Sequence, residues 1–259
     1  MELITFDALG AQVKGYLQAD YETLRAHKVR PALLICPGGA YRWCSPREED
    51  PVALEFLSMG YQVFILEYSC GEQAGNYRPL RELAETVRLI REKSGQWHID
   101  PDQIAVMGFS AGGHLAASLG ALWNDPEVGL PREAKPDALV LCYPVISTRE
   151  FAHEESARWV SGGDEALRDK LHLWDRVSPD FPPVFLWHGG GDTSVPPENS
   201  LLLAVQLKKQ GVPFEYHLFE TGLHGISTCT QEVETPDEVC HAWLPLCKTW
   251  LNRRFQYTP

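Results

Sequence analysis

The chain has 259 residues and a formal net charge of −12, with 35 acidic against 23 basic side chains and no Lys/Arg cluster. Nucleic-acid binding is driven by neutralising phosphates, so this charge argues against a nucleic-acid partner and against an anionic membrane surface. No run approaches the ~20 apolar residues of a membrane span, and Met1 to Asp7 is not a charged segment leading into an apolar one, so the expected location is the cytoplasm.

The seven cysteines are odd in number and show no paired spacing, which fits reduced thiols better than a disulfide framework. Cys36 and Cys142 lie in apolar strand patterns and read as core; Cys44 is the one expected near a site. The nine histidines include no H-E-x-x-H and no cysteine pair stands at zinc spacing, so neither a metal nor another cofactor is expected.

In chain order, residues 1–19 read as two short strands around the Leu9-Gly10 turn. A buried strand at 32–36 then runs into Pro37-Gly38-Gly39-Ala40-Tyr41, where glycines let backbone N–H groups point into a cavity. Tyr41, Arg42 and Trp43 follow, with Tyr41 and Trp43 as candidates for substrate contact. Arg47-Glu48-Glu49-Asp50 places acids at the start of a helix over about 49–59, where they suit the positive end of its dipole. A strand at 62–67, a helix at about 79–94, a strand at 103–108 and a helix from 111 come next. Such alternation predicts a single α/β domain over 1–259, with a mostly parallel sheet covered by helices.

The junction of the last two elements is the most informative segment. Gly108-Phe109-Ser110-Ala111-Gly112 joins strand to helix through a sharp turn, which holds a serine with its hydroxyl exposed while glycines two positions either side allow close packing. Ser110 is therefore a candidate nucleophile. A serine hydroxyl reacts only when a neighbouring base takes its proton, so a histidine and an orienting acid are required. His114, one turn on, either faces the core or supports the turn.

Later strands fall near 138–142, 184–188 and 213–219, with helices near 197–209 and 238–252. The acid candidate is Asp192, after the strand Val184 to His188 and the turn Gly189-Gly190-Gly191; the base candidate is His224, in the loop Glu220 to Gly225. His188 and His217 are the rival bases, His188 at a strand end and His217 inside a strand. The chain order Ser, Asp, His is that of α/β-hydrolases. Gly39 and Ala40, joined by Ala111, would then donate N–H groups to an oxyanion. His188-Gly189-Gly190-Gly191 resembles a lipase oxyanion string but lies after the nucleophile, at the acid-bearing turn, and is read as a decoy.

On Pro37 to Tyr41, Gly60-Tyr61-Gln62-Val63-Phe64 with Tyr68-Ser69, Gly108 to Gly113, Phe185 to His188 with Asp192 and Ser194-Val195-Pro196, and Gly222 to Gly225, the chain resembles bacterial carboxylesterases of the α/β-hydrolase superfamily, those grouped with acetyl-xylan and feruloyl esterases. The resemblance spans nearly the whole chain. It implies the α/β-hydrolase fold, with residues at about 144–182 as a small helical cap whose aromatics include Phe151, Trp159 and Trp174; Trp159 is a candidate for substrate contact. It maps nucleophile, acid, base and oxyanion loop onto Ser110, Asp192, His224 and Gly39/Ala40. Ala40 departs from the third glycine of many relatives, and their Arg-Glu pair implies that Arg47 or Glu48 braces the oxyanion loop. The implied activity is hydrolysis of short acyl esters, such as those of acetylated xylo-oligosaccharides, through an acyl-enzyme. Alternatives are an amide hydrolase (an arylformamidase or a small relative of the prolyl peptidases) and a hydrolase-fold binding protein without turnover. The expected partner is a small-molecule or oligosaccharide ester; a homo-oligomer is left open.

Overall fold

The computed structural model describes residues 1–19 and 29–259. Eight strands, β1 (Glu2–Ala8), β2 (Ala11–Leu17), β3 (Arg30–Cys36), β4 (Gln62–Glu67), β5 (Ile99–Phe109), β6 (Ala138–Cys142), β7 (Val184–Gly189) and β8 (Phe214–Phe219), form one sheet in the order β1-β2-β4-β3-β5-β6-β7-β8. β1 and β2 pair antiparallel, β2 pairs antiparallel with β4, and every later pairing is parallel.

Alternation along the strands distributes the apolar side chains to two cores. In β3, Ala32, Leu34 and Cys36 face one layer, with α2 (Arg78–Glu92), α3 (Ala111–Leu122) and α6 (Glu198–Gln210); Leu33 and Ile35 face the other, with α1 (Asp50–Leu57) and α7 (Trp243–Phe255). A sheet buried on both faces needs continuous apolar strands, and β3, β4, β5, β6 and β7 read that way. β5 starts earlier than its apolar run predicts, because Ile99 pairs with Arg30 ahead of a register shift. The last helix starts later than predicted: Asp237 accepts from the N–H groups of Val239 and Cys240, and a 3-10 turn at Cys240–Ala242 precedes α7.

The connection between β6 and β7 carries α4 (Glu154–Ser161) and α5 (Glu165–Lys170). Asp164 caps α5 by accepting from Ala166 and Leu167 N–H, while His153 caps α4 by accepting from Ser156 N–H. The loops leaving the carboxyl ends of β3, β5, β7 and β8 hold residues 37–45, Ser110, Asp192 and His224, so the fold gathers them at one end of the sheet. Among the described residues no helix is long and apolar enough to cross a membrane.

Candidate active site

Ser110 sits between β5 and α3 at φ 52° and ψ −115°, a left-handed conformation that side chains rarely adopt. The turn closes because its flanking residues are glycines. A Cβ on Gly108 would lie 2.1 Å from Gly112 O, and one on Gly112 would lie 2.1 Å from Cys36 O. The turn is held by Ser110 N–H donating to Cys142 O at 3.0 Å, and Ser110 O accepts from Val145 and His114 N–H.

Ser110 Oγ is 2.7 Å from His224 Nε2, and His224 Nδ1 is 2.6 Å from Asp192 Oδ2. Donation from Nδ1–H to the carboxylate leaves Nε2 as the acceptor for the serine proton. Three residues far apart in sequence thus form one hydrogen-bonded chain. Asp192 is buried, and its Oδ1 accepts from the N–H groups of Ser194 and Val195, both at 2.9 Å. Burial alone would raise its pKa, but hydrogen bonds from His188 and His224, the charge of His224 and the Val195 N–H outweigh it and hold the carboxyl well below the usual range.

On the facing side, Gly39 takes φ +122°, and a Cβ there would lie 2.2 Å from Trp43 O. Ala40 and Tyr41 follow at φ 60° each, so alanine does adopt the left-handed conformation at the position where many relatives carry glycine. Among the described residues no acceptor takes the N–H of Gly39, Ala40 or Ala111, the last at the N-terminus of α3, where unpaired N–H groups favour negative charge.

Behind that loop lies a buried carboxylate. Glu48 Oε2 accepts Gly38 N–H at 2.6 Å, and Glu48 Oε1 accepts the Tyr143 hydroxyl at 2.6 Å. The Tyr143 hydroxyl oxygen in turn accepts Ser227 N–H at 2.9 Å, and the Tyr143 ring stands edge-on to His224 with centroids 5.2 Å apart. Burial raises the Glu48 pKa, opposed by the hydrogen bonds from Tyr143 and Gly38. Glu48, rather than Arg47, contacts the loop through its side chain, and the same network ties the loop to the segment that carries His224. Tyr143 escaped the sequence reading; its position just beyond the carboxyl end of β6, next to β5, was the available signal.

A cavity of about 340 Å³ opens over these groups, lined by residues that include Ala40, Trp43, Arg47, His153, Glu155 and His224, together with Ser110. Trp43 is 54% exposed and lies on its wall. Tyr41 does not contact substrate space: it is fully buried, with its hydroxyl 2.9 Å from His114 Nδ1, because the left-handed backbone at 40–41 turns the ring under the loop. Trp159 is not brought to Ser110 either. It lines a separate cavity of about 440 Å³ with Arg158, Glu72 and Gly71, one helical turn beyond Glu155 along α4. His153 and Glu155 are the insertion side chains at the Ser110 cavity. Cys44 lies behind the loop with its Sγ 3.9 Å from Cys70 Sγ, and its thiol is pushed up by the hydrogen bond to Cys70 and by burial. His217 points to Glu215, away from Ser110, with Nε2 3.1 Å from Oε1.

In comparison with known proteins, the BD-FAE family matches residues 21–207. The chain belongs to the BD-FAE family. Among solved structures, an acetyl ester-xyloside bifunctional hydrolase from Caldicellulosiruptor lactoaceticus superposes on this BD-FAE chain with a TM-score of 0.83 and 37% identity, covering 96% of this chain and 89% of that one. The acetylxylan esterase of Xylanibacter ruminicola is 31% identical over 202 residues, 75% of this chain and 40% of its own length. The endo-1,4-beta-xylanase B of Butyrivibrio fibrisolvens is 32% identical over 212 residues, 78% of this chain and 33% of its own. The chain thus spans less than half the length of these two relatives. Its fold is that of the α/β-hydrolases.

Proposed function

We propose that this chain is a serine esterase for short acyl esters, acetyl above all, carried on carbohydrates such as xylo-oligosaccharides. The observation that carries the reading is the chain Ser110–His224–Asp192 facing the unpaired N–H groups of Gly39, Ala40 and Ala111. His224 takes the Ser110 proton as Oγ attacks the ester carbonyl, and the three N–H groups stabilise the oxyanion. His224 then protonates the leaving alkoxide, and a water activated by the same imidazole releases the acid from the acyl-enzyme. Asp192 holds the imidazole tautomer and stabilises its cation. Residues 144–182 serve as the cap over this centre.

The substrate class draws on the cavity. Its lining is dominated by glycine, serine, histidine and charged groups, with Ala40 and Trp43 as its apolar side chains. Each CH₂ buried in an apolar groove would contribute about 0.8 kcal/mol, and this lining offers no such groove. Trp43 supplies an exposed aromatic face for a sugar ring. The names of the Caldicellulosiruptor and Xylanibacter relatives support the same choice.

A panel of p-nitrophenyl esters from acetyl to palmitoyl, with acetylated xylo-oligosaccharides and an acetanilide, tests the proposal. The expected kcat/KM peaks at acetyl or butyryl and falls beyond ~8 carbons, with acetate released from the sugars. A profile rising through palmitoyl overturns the short-acyl reading. Hydrolysis of the anilide in preference to the esters reassigns the enzyme to amides.

A further inference from the structure

His188 has no exposed surface and cannot reach substrate, yet it touches the acid of the proposed triad. Its Nε2 lies 3.0 Å from Val195 O and 3.2 Å from Asp192 Oδ2, the same carboxylate oxygen that takes His224 Nδ1–H. A backbone carbonyl only accepts, so Nε2 must carry hydrogen and donate to both oxygens. The other nitrogen, Nδ1, is 2.7 Å from Ser200 Oγ on α6. Among the described residues Nδ1 is the one partner of that hydroxyl, so Ser200 donates and Nδ1 accepts. The ring is thereby fixed in the Nε2–H tautomer as a donor without charge of its own.

We infer that His188, oriented by Ser200, is a positioning residue that aims Asp192 at His224. The inference rests on the Ser110–His224–Asp192 reading. Asp192 Oδ1 is already held by two backbone N–H groups; His188 supplies a fixed donor at Oδ2, so both oxygens are oriented before His224 binds. A donor without charge leaves the carboxylate its full charge for the imidazolium that forms in the reaction, whereas a cationic partner would share it. The string His188 to Gly191, read from sequence as a decoy, therefore has a part: its histidine serves the acid four residues on.

The test compares wild type with His188→Ala, His188→Gln and Ser200→Ala, using p-nitrophenyl acetate across pH, with the fold checked by near-UV circular dichroism. His188→Ala should lower kcat roughly ten- to a hundred-fold with KM within about twofold, the size of effect expected from a slightly misplaced catalytic group. It should also move the acid limb of kcat/KM to higher pH, because Asp192 without that donor attracts the His224 proton more strongly. His188→Gln, whose side-chain amide donates from the place of Nε2, should recover most of the rate. Ser200→Ala should shift the acid limb in the same direction by a smaller amount. A folded His188→Ala with unchanged kcat and pH profile overturns the inference; if that variant does not fold, an unchanged profile in Ser200→Ala does so. Stoichiometric labelling of wild-type Ser110 by an organophosphonate, checked by mass spectrometry, separates the two readings. Without labelling the triad reading itself fails, and with labelling and an unaffected His188→Ala only the positioning role fails.

Discussion

Behind Ser110 the polar side chains are buried and paired within the protein, whereas the insertion between β6 and β7 is held at its rim by ion pairs standing in water. Glu48, Tyr143, His114, His188 and Asp192 are each less than about a tenth exposed, and each has a protein hydrogen-bond partner. In the insertion, Arg149 pairs with Glu165 and Asp169, Arg168 with Glu154, and Arg42 of the loop after β3 reaches Glu155, with one partner of each pair well exposed. A buried network fixes geometry because every broken bond leaves an unsatisfied group; a solvated pair exchanges its partner for water at little cost. The proposed reaction chemistry thus sits on the buried network, and of the cavity's described lining the insertion supplies His153 and Glu155.

The comparison breaks most visibly at the proposed nucleophile. Ser110→Ala should keep the wild-type unfolding midpoint yet lose roughly 10⁴-fold or more in kcat, and adding Asp192→Asn should cost little further, since triad members act as a unit. Steady-state kinetics on single and double variants checks this; residual activity above about a tenth in Ser110→Ala would remove the nucleophile assignment.

A smaller effect probes the seam between the regions. His114 on α3 has Nε2 2.9 Å from Leu171 O, in the insertion, so Nε2–H donates there and Nδ1 accepts the Tyr41 hydroxyl. Burial, aided by nearby His172, pushes its pKa down from 6.5 to about 4 against the opposing Leu171 bond. The unfolded chain therefore binds a proton between pH 6.5 and about 4 that the folded chain refuses, so stability falls as the pH drops through that window. Urea unfolding should show a loss on the order of 2 kcal/mol from this group between pH 7 and pH 5, and His114→Gln should flatten that slope. An unchanged slope in the variant would place the proton uptake elsewhere.

The smallest effect lies at the rim. Glu154→Gln, which breaks the pair with Arg168, should lower stability by less than about 1 kcal/mol and leave kcat unchanged, with the difference shrinking further in added salt. A larger loss would show that the insertion is as tightly built as the elbow.

Much of this was legible in one dimension. Strand and helix alternate with apolar runs that only a sheet buried on both faces requires, and Gly108 and Gly112 stand where a Cβ would meet backbone. Ser110, Asp192 and His224, the members of the proposed triad, each follow a strand in the order Ser, Asp, His, because a parallel sheet delivers successive strand ends to one edge. Side-chain direction was not legible. Tyr41 lies in the loop beside Trp43, but the left-handed backbone at Ala40 and Tyr41 turns the one ring into the core while the other stands 54% exposed. Trp159 is aromatic and lies in the insertion, yet its place one turn along α4 carries it to a different cavity.

Local pattern determined the elements and the three residues at their ends, since strand, turn and helix preferences act over a few residues. Only the tertiary structure decided which buried groups stand behind them. Glu48 meets Tyr143 across 95 positions of sequence, and His188 finds its second partner on α6. Such contacts depend on how separate elements pack, and no spacing along the chain encodes them.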